Sequence, residues 1–148
     1  MKLDYGSGRQ PKPSFFSSDF TGTPQYDYYI KDYVVLGTED NSFDVVHVRN
    51  VIHHISEKDL PILFDEFFRL LKPDGLLIIS EPREEFHEQN KFLDWIWYRW
   101  LTNDTNIMIP DEYVDYKKYL IDFDMVSTVD EFNNEVLYLK KKTMCLAV

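Results

Sequence analysis

The sequence is short of cysteine and of long apolar runs, and each shortage excludes a class of protein. A single cysteine among 148 residues cannot form an intrachain disulfide, which suits a reducing compartment. No apolar run approaches the ~20 residues that a membrane helix needs, and the first residues do not form a signal peptide. We therefore expect a cytoplasmic protein without a membrane partner.

Positive charge is also scarce. The chain has 16 lysine and arginine residues against 26 aspartate and glutamate residues, a formal net charge of −10. Such a chain repels phosphate backbones, so nucleic acid is an expected partner only with a local basic patch or a basic partner chain. What the chain does contain is typical of a globular protein. Its 44% hydrophobic and 16% aromatic residues, in this length, predict a single domain over residues 1–148.

Glycine is the third scarce residue, and two of the five glycines flank Ser7 near the start of the chain. The pattern predicts a strand over residues 1–5 that ends at Gly6-Ser7-Gly8. Pro11 and Pro13 disfavour a helix in the stretch that follows. Further extended segments are predicted over residues 15–20 and 28–36.

The centre of the chain predicts a strand, a helix and a second strand. The β-branched run over residues 43–48 is typical of a buried strand. Ser56 is expected to cap the helix, with Asp59 in a variant of the capping box. The apolar face of this helix is predicted to contain Leu60, Leu63, Phe64, Phe67 and Leu71. A turn over residues 72–75 and a strand over 76–79 complete a βαβ unit, which implies parallel strands and a right-handed crossover.

The last third of the chain predicts two helices and a hairpin. The helices are expected over residues 84–101 and 111–120. Strands over residues 125–129 and 136–140 form an antiparallel hairpin, whose turn Asn133-Asn134 suits.

Three segments in this order resemble class I S-adenosyl-L-methionine (SAM)-dependent methyltransferases of the small-molecule type. They are residues 3–8 with the glycine turn, residues 42–55 with Phe-Asp-Val-Val and the His-His pair, and residues 69–79 with Leu-Lys-Pro-Asp-Gly. The resemblance implies a Rossmann-like α/β fold with a mostly parallel sheet and an antiparallel C-terminal hairpin strand. It also implies a shortened N-terminal half that lacks one or two helices.

The resemblance implies SAM as the cofactor and assigns residues to it. Gly6, Ser7 and Gly8 would let the backbone approach the amino-acid end of SAM. Asp4 lies where the family has a carboxylate near the ammonium of the cofactor, and Asp19 is the candidate for the ribose hydroxyls. For Asp4, capping of the turn is the alternative. For Asp19, a place on the surface is equally expected.

Four further residues follow the next strands. Asp32 is the candidate acceptor for the adenine amino group, although a surface position is equally expected, and Tyr33 is a stacking surface beside it. Arg49 and Asn50 would face the methyl donor, since such sheets bind ligands at the carboxyl ends of their strands.

The candidates for acid–base catalysis are His53, His54 and Glu81, which an oxygen nucleophile would need as a base. Packing or capping of the following helix is the alternative for at least one of the histidines. A metal site is not expected, because an adjacent histidine pair chelates poorly and no third ligand has suitable spacing.

The main departure from the family is the short gap between Gly8 and Asp19. Ten residues with two prolines cannot supply the usual helix, and a parallel crossover normally takes a dozen or more residues. Either the second strand pairs differently or the cofactor cradle is partly a loop.

Two functions follow from this pattern. The first is a methyltransferase with a small-molecule acceptor. The second is a catalytically inactive methyltransferase-like module that binds or stimulates a partner protein, with the aromatic segment over residues 92–100 as its docking face.

Overall fold

The computed structural model describes residues 1–8, 10–20, 26–31, 34–83 and 115–143. These described residues form a single eight-stranded sheet with one α-helix. The strands are β1 (Lys2–Tyr5), β2 (Phe16–Asp19), β3 (Tyr28–Lys31), β4 (Val35–Leu36), β5 (Phe43–Arg49), β6 (Leu71–Pro82), β7 (Phe123–Glu131) and β8 (Asn134–Lys141). The helix α1 (Leu60–Leu70) connects β5 to β6, and short 3-10 turns lie at Ile52–His54, Glu57–Asp59 and Tyr116–Tyr119.

The order of strands across the sheet is β4-β3-β2-β1-β5-β6-β8-β7. Strands β3, β2, β1, β5 and β6 are parallel to one another, whereas β8 runs antiparallel to both β6 and β7. The expected Rossmann-like sheet with an antiparallel C-terminal hairpin is thereby confirmed. Its five parallel strands place their carboxyl ends along one edge, where ligands bind in such sheets.

The sequence left open whether the second strand pairs differently or a loop replaces the helix after the glycine turn, and the connection between β1 and β2 decides this. The two strands pair in parallel, with Leu3 opposite Phe16 and Asp4 opposite Ser17. The connecting residues 6–15, of which all but residue 9 are described, contain turns and bends but no helix. The second strand therefore pairs as in the family, and the segment that follows the glycine turn is a loop.

The extended segment expected over residues 28–36 is divided into two strands. Strand β3 ends at Lys31, and β4 folds back antiparallel to it, with Ile30 opposite Leu36. The amide of Val34 donates to the carbonyl of Lys31 at 3.1 Å, which closes the bend. Apolar content predicted the extended backbone correctly but contained no signal for this reversal.

The helix packs on the sheet with the predicted face. Leu60, Leu63 and Phe67 are fully buried, and Phe64 is 4% exposed. Leu71 is also buried, but it is the first residue of β6 rather than the last turn of the helix. The expected capping box is wrong, because Ser56 makes no side-chain bond to the backbone of the turn that it precedes. Its hydroxyl donates to the Asp59 carboxylate at 2.5 Å, and α1 begins only at Leu60.

Strand β6 is longer than the predicted run of residues 76–79. The predicted turn lies inside this strand as an irregularity in its pairing with β5. Phe43 pairs with Leu71, but Val45, two residues later, pairs with Leu76, five residues later. Asp74 adopts a φ of 63°, and a Cβ on Gly75 would lie 2.9 Å from the carbonyl oxygen of Lys72. Close backbone packing at this irregularity therefore requires glycine at position 75.

The C-terminal hairpin is confirmed, but its turn is displaced by one residue. Asn134 is the first residue of β8 and pairs with Glu131, so the turn consists of Phe132 and Asn133. Phe132 has a φ of 55°, a left-handed conformation that asparagine adopts more readily than phenylalanine.

The predicted helix over residues 84–101 lies outside the described residues, as does the aromatic segment over 92–100. Of the helix predicted over 111–120, the described part is a 3-10 turn at Tyr116–Tyr119. Within the described parts of the chain, no helix is long and apolar enough to cross a membrane.

Candidate functional site

The candidate site lies at the carboxyl ends of the parallel strands. The glycine turn follows β1, Asp19 ends β2, Asn50 follows β5 and Glu81 lies near the end of β6. These positions come from four segments that are distant in the sequence. The sheet brings them to one edge because its parallel strands run in the same direction.

The glycine turn is held in a conformation that other residues rarely adopt. Gly6 and Gly8 have φ values of 68° and 56°. A Cβ on Gly6 would come within 2.5 Å of the Val51 Cγ2 atom, whereas a Cβ on Gly8 would meet no heavy atom within 4 Å. Gly6 is therefore required by packing against the loop after β5. Gly8 has open space on the side where a Cβ would stand, so a ligand can approach it closely from that side.

The end of β2 fixes the far side of this turn. The amide of Gly8 donates to Asp19 Oδ2 at 2.7 Å, and the amide of Phe20 donates to Asp19 Oδ1 at 2.7 Å. The amide of Ser7 donates to the carbonyl of Ser18 at 2.7 Å. Asp19 is thus a half-buried carboxylate that shapes the glycine turn.

Tyr26 adds a further bond to this turn. Its hydroxyl donates to the carbonyl of Gly8 at 2.9 Å. The turn is therefore held by the segment before β3 as well as by β2.

Asp4 forms a buried network behind the turn. It is 5% exposed, and its Oδ1 lies 2.9 Å from Nδ1 of His47, the opposite residue on β5. Its Oδ2 accepts from the amide of Lys12 at 2.8 Å. Burial raises the pKa of Asp4, but the bonds from His47 and from the Lys12 amide more than offset this, so the pKa lies below its usual 3.8. Asp4 therefore holds the loop after the glycine turn against the sheet.

Glu81 organises the turn that follows β5. Its carboxylate is 3% exposed, and Oε1 accepts from the amides of Val51 and Ile52 at 2.7 and 2.8 Å. Its Oε2 lies 2.6 Å from Nδ1 of His53. The ring of His54 lies against that of His53, with 4.1 Å between centroids, and His54 is exposed. The three predicted acid–base residues are therefore in one cluster.

Asn50 and Arg49 have different environments. Asn50 adopts a φ of 54°, and its Oδ1 accepts from Asn134 Nδ2 at 2.9 Å. The same Asn134 nitrogen donates to Ser80 Oγ at 3.0 Å. Asn50 is thereby tied to the start of β8, whereas Arg49 is exposed at the end of β5.

The structure thus places the glycine turn, Asp4, Asp19, Asn50 and the His53–Glu81 cluster along one edge. Asp32 and Tyr33 lie outside the described residues. Sequence reasoning missed His47 and Asn134. His47 is a polar residue inside the β-branched strand β5, and that is the only signal the sequence contains for it. The strand pairing identifies Asp4 as its partner. Asn134 had been assigned to a turn, so no local pattern indicated its contact with Asn50.

The order of the strands and the reversed last strand are those of the class I, Rossmann-like methyltransferase fold. A family model described as "Methyltransferase domain" matches residues 3–112, about three quarters of the chain. The chain therefore belongs to this methyltransferase family, and SAM is the cofactor of its class.

Curated relatives match shorter segments. Phosphoethanolamine N-methyltransferase 1 of Arabidopsis thaliana is 46% identical over 59 residues, which cover 35% of this chain and 12% of the relative. Phosphoethanolamine N-methyltransferase 2 of Caenorhabditis elegans is 37% identical over 70 residues, which cover 47% and 16%. The chain thus corresponds to a small part of the length of these relatives.

Solved structures agree in fold. The PH0226 protein of Pyrococcus horikoshii superposes with a TM-score of 0.67 at 16% identity, covering 96% of this chain and 81% of that one. A SAM-dependent methyltransferase of Aquifex aeolicus gives a TM-score of 0.61 at 14% identity, with 95% and 81% coverage. At such identities, the likeness concerns the fold.

The residues present are compatible with SAM. Open space beside Gly8 leaves its backbone approachable, and the half-buried carboxylate of Asp19 lies at the same turn. The carboxylate of Asp4 already accepts bonds from His47 and from the Lys12 amide, so it supports this cradle from behind. A cradle for SAM at this turn would therefore consist of the glycine turn and a loop, without a helix between β1 and β2.

Proposed function

We propose that this chain binds SAM over the glycine turn and transfers its methyl group to a small amine acceptor. The observation that carries the proposal is the contact between the glycine turn after β1 and the loop after β5. Gly6 packs against Val51, so the proposed cofactor turn and the loop that contains His53 are held together. A methyl donor and an acceptor bound on these two loops would be neighbours.

The residues of the proposed cofactor side are those of the glycine turn and the β2 end. The backbone of Gly6, Ser7 and Gly8 would contact the amino-acid end of SAM, and Asp19 would accept from the ribose hydroxyls while it supports Gly8. Asp32 and Tyr33 are proposed for the adenine. SAM supplies a methyl group on a positively charged sulfur, which leaves as a neutral thioether.

The proposed acceptor side is the turn after β5. Arg49 ends β5 and Asn50 follows it, and both would face the methyl donor. His53, His54 and Glu81 provide the groups that can take up a proton. Methyl transfer is an in-line displacement, in which the protein mainly positions the nucleophile and shields it from water. A rigid turn, fixed by three bonds to Glu81, suits that task.

The acceptor class is proposed from the relatives. The curated relatives are named for methylation of phosphoethanolamine, a small primary amine. Because the matched segments are short, we propose only that the acceptor of this chain is a small amine, not that it is phosphoethanolamine itself. The net charge of −10 favours an acceptor that carries positive charge over a nucleic acid.

The second candidate is an inactive module that binds a partner protein. The observation that favours it is the exposed apolar surface of the C-terminal hairpin, where Val126 is 60% and Phe132 is 83% exposed. Met125 is 51% and Val129 is 44% exposed, so apolar side chains are exposed along the whole length of the edge strand β7.

Calorimetric titration of the purified chain with SAM and with S-adenosylhomocysteine separates the two candidates. Micromolar binding of one ligand per chain is expected for the methyltransferase, followed by transfer of labelled methyl groups to phosphoethanolamine or a simpler amine. Absence of binding to either ligand would contradict the first candidate and favour the partner-binding module.

A further inference from the structure

The carboxylate of Glu81 connects β6 to the turn that follows β5. It is 3% exposed and accepts from the amides of Val51 and Ile52 and from the ring of His53. Because all these donors belong to one turn, a single side chain fixes both the path of the backbone and the orientation of the imidazole. Such a contact between a carboxylate and a histidine ring also determines where the ring carries its proton.

The ring nitrogen of His53 that donates to Glu81 follows from the chemistry of the carboxylate. An ionised carboxylate is an acceptor only, so Nδ1 of His53 must donate the 2.6 Å bond to Glu81. In the neutral ring, Nε2 then holds a lone pair. The side chain of His53 is 19% exposed, so the ring is not sealed in the core.

The turn that contains His53 contacts the proposed cofactor turn. Val51, two residues before His53, packs against Gly6. In the described part of the chain, two titratable groups contact the His53 ring: Glu81 on β6 and His54 in the same turn. We expect a group bound between the glycine turn and this loop to lie near an imidazole that a buried carboxylate holds in place.

We propose, on the basis of the function proposed above, that His53 is the general base for an amine acceptor and that Glu81 is its positioning residue. A primary amine with a pKa near that of lysine, about 10.4, is protonated at neutral pH and has no lone pair for attack. A base that removes this proton at the site of reaction would let the protonated amine, the main form at neutral pH, react.

The proposed step conserves atoms and charge. An N–H bond of the acceptor ammonium breaks, and its proton moves to Nε2 of His53. The nitrogen keeps the electron pair and forms the bond to the methyl carbon, while the electrons of the carbon–sulfur bond remain on sulfur. The carboxylate of Glu81 stabilises the imidazolium that forms, as in other carboxylate–histidine pairs.

The first test is the tautomer of His53, measured by long-range proton–nitrogen NMR correlations on the ¹⁵N-histidine-labelled chain without SAM. The wild-type ring is expected to carry its proton on Nδ1. In Glu81→Gln, the side-chain oxygen can still accept from the two amides, but its NH₂ group faces the ring. The proton of His53 is therefore expected to move to Nε2. A wild-type ring protonated on Nε2 would overturn the proposal.

The second test is steady-state kinetics with SAM and phosphoethanolamine. His53→Asn keeps an NH₂ donor for Glu81 but has no second nitrogen base. This variant should bind SAM as tightly as the wild type in calorimetry, while its kcat falls by about 100-fold or more. Glu81→Gln should show the same loss of kcat, because its His53 presents a proton rather than a lone pair.

Two results would contradict the inference. Undiminished kcat in His53→Asn, together with a large loss in His54→Gln, would assign the base to His54 and leave the proposed function intact. Absence of SAM binding by the wild-type chain would instead contradict the proposed function and the base assignment with it. The two failures are therefore distinguishable.

Discussion

Among single residues, glycines at different positions meet different constraints. Gly6 has a positive φ and no room for a Cβ beside Val51. Gly8 has a positive φ and open space, whereas Gly37 has open space and a φ outside the left-handed region. An L-residue pays about 1–2 kcal/mol in the left-handed region, and a 2.5 Å contact adds a further cost.

We expect alanine substitutions to destabilise the chain in the order Gly6, Gly8, Gly37. The loss of unfolding free energy should be about 3 kcal/mol or more at Gly6, about 1–2 at Gly8 and less than about 0.5 at Gly37. Urea denaturation of the three variants measures this directly. Equal effects at Gly6 and Gly8, which both have a positive φ, would mean that Val51 does not pack against the turn.

Asp19 is a residue whose loss should affect the cofactor more than the fold. Asp19→Ala removes the acceptor for the Gly8 amide as well as the proposed ribose contact. We expect SAM affinity to fall by about 1.5–3 kcal/mol, which is the usual value of a hydrogen bond to a charged group. Asp40→Ala is the matched control, since Asp40 pairs with Arg69 and precedes the amino end of β5.

Calorimetry of both variants decides this prediction. An unchanged affinity in Asp19→Ala removes Asp19 from the binding site. An equal loss in Asp40→Ala would indicate a general effect of charge rather than a contact.

Among secondary-structure elements, the network of Asp4 replaces a missing helix. Asp4 on β1 contacts His47 on β5 and the amide of Lys12 in the crossover loop. One buried carboxylate thus ties two strands and a loop together. A helix would have satisfied the backbone groups of this segment internally, whereas a loop depends on such side-chain acceptors.

The contribution of Asp4 to stability should depend on pH. Its pKa is lower in the folded chain than the usual 3.8, so the stabilisation is fully present above that value and is lost as the pH falls through the folded pKa. Asp4→Asn should lower the unfolding free energy by about 1–3 kcal/mol at pH 7. The difference between this variant and the wild type should shrink below about pH 4.

Urea denaturation of both chains between pH 7 and pH 3 measures this difference. A difference that stays constant over the whole range would show that the carboxylate charge of Asp4 does not contribute.

On the scale of the whole molecule, the cofactor should add stability to a chain whose site is built from loops. A ligand that binds only the folded state at 100 times its Kd stabilises that state by about 2.7 kcal/mol. For a chain of this length, that corresponds to a rise in Tm of about 5–10 °C. Differential scanning calorimetry with and without SAM measures the shift, and Asp19→Ala should require more SAM for the same rise. An unchanged Tm at saturating SAM would contradict the proposed function.

Much of the sheet could be predicted from local pattern. The β-branched run of β5, the apolar face of α1 and the hairpin at the end of the chain follow from periodicity and turn residues. The reversal between β3 and β4 could not be predicted, because a single extended pattern is compatible with one strand or with two. The turn at Phe132 was missed because asparagine is the usual residue for that conformation.

The sequence by itself determined the class of fold, the position of the glycine turn and the residue types available for chemistry. The tertiary structure alone decided how those residues are paired: Asp4 with His47, Asp19 with the Gly8 amide, and Glu81 with His53. The physical reason is that each pair joins residues from different strands or loops. Such partners are selected by strand order and register, which no local periodicity encodes.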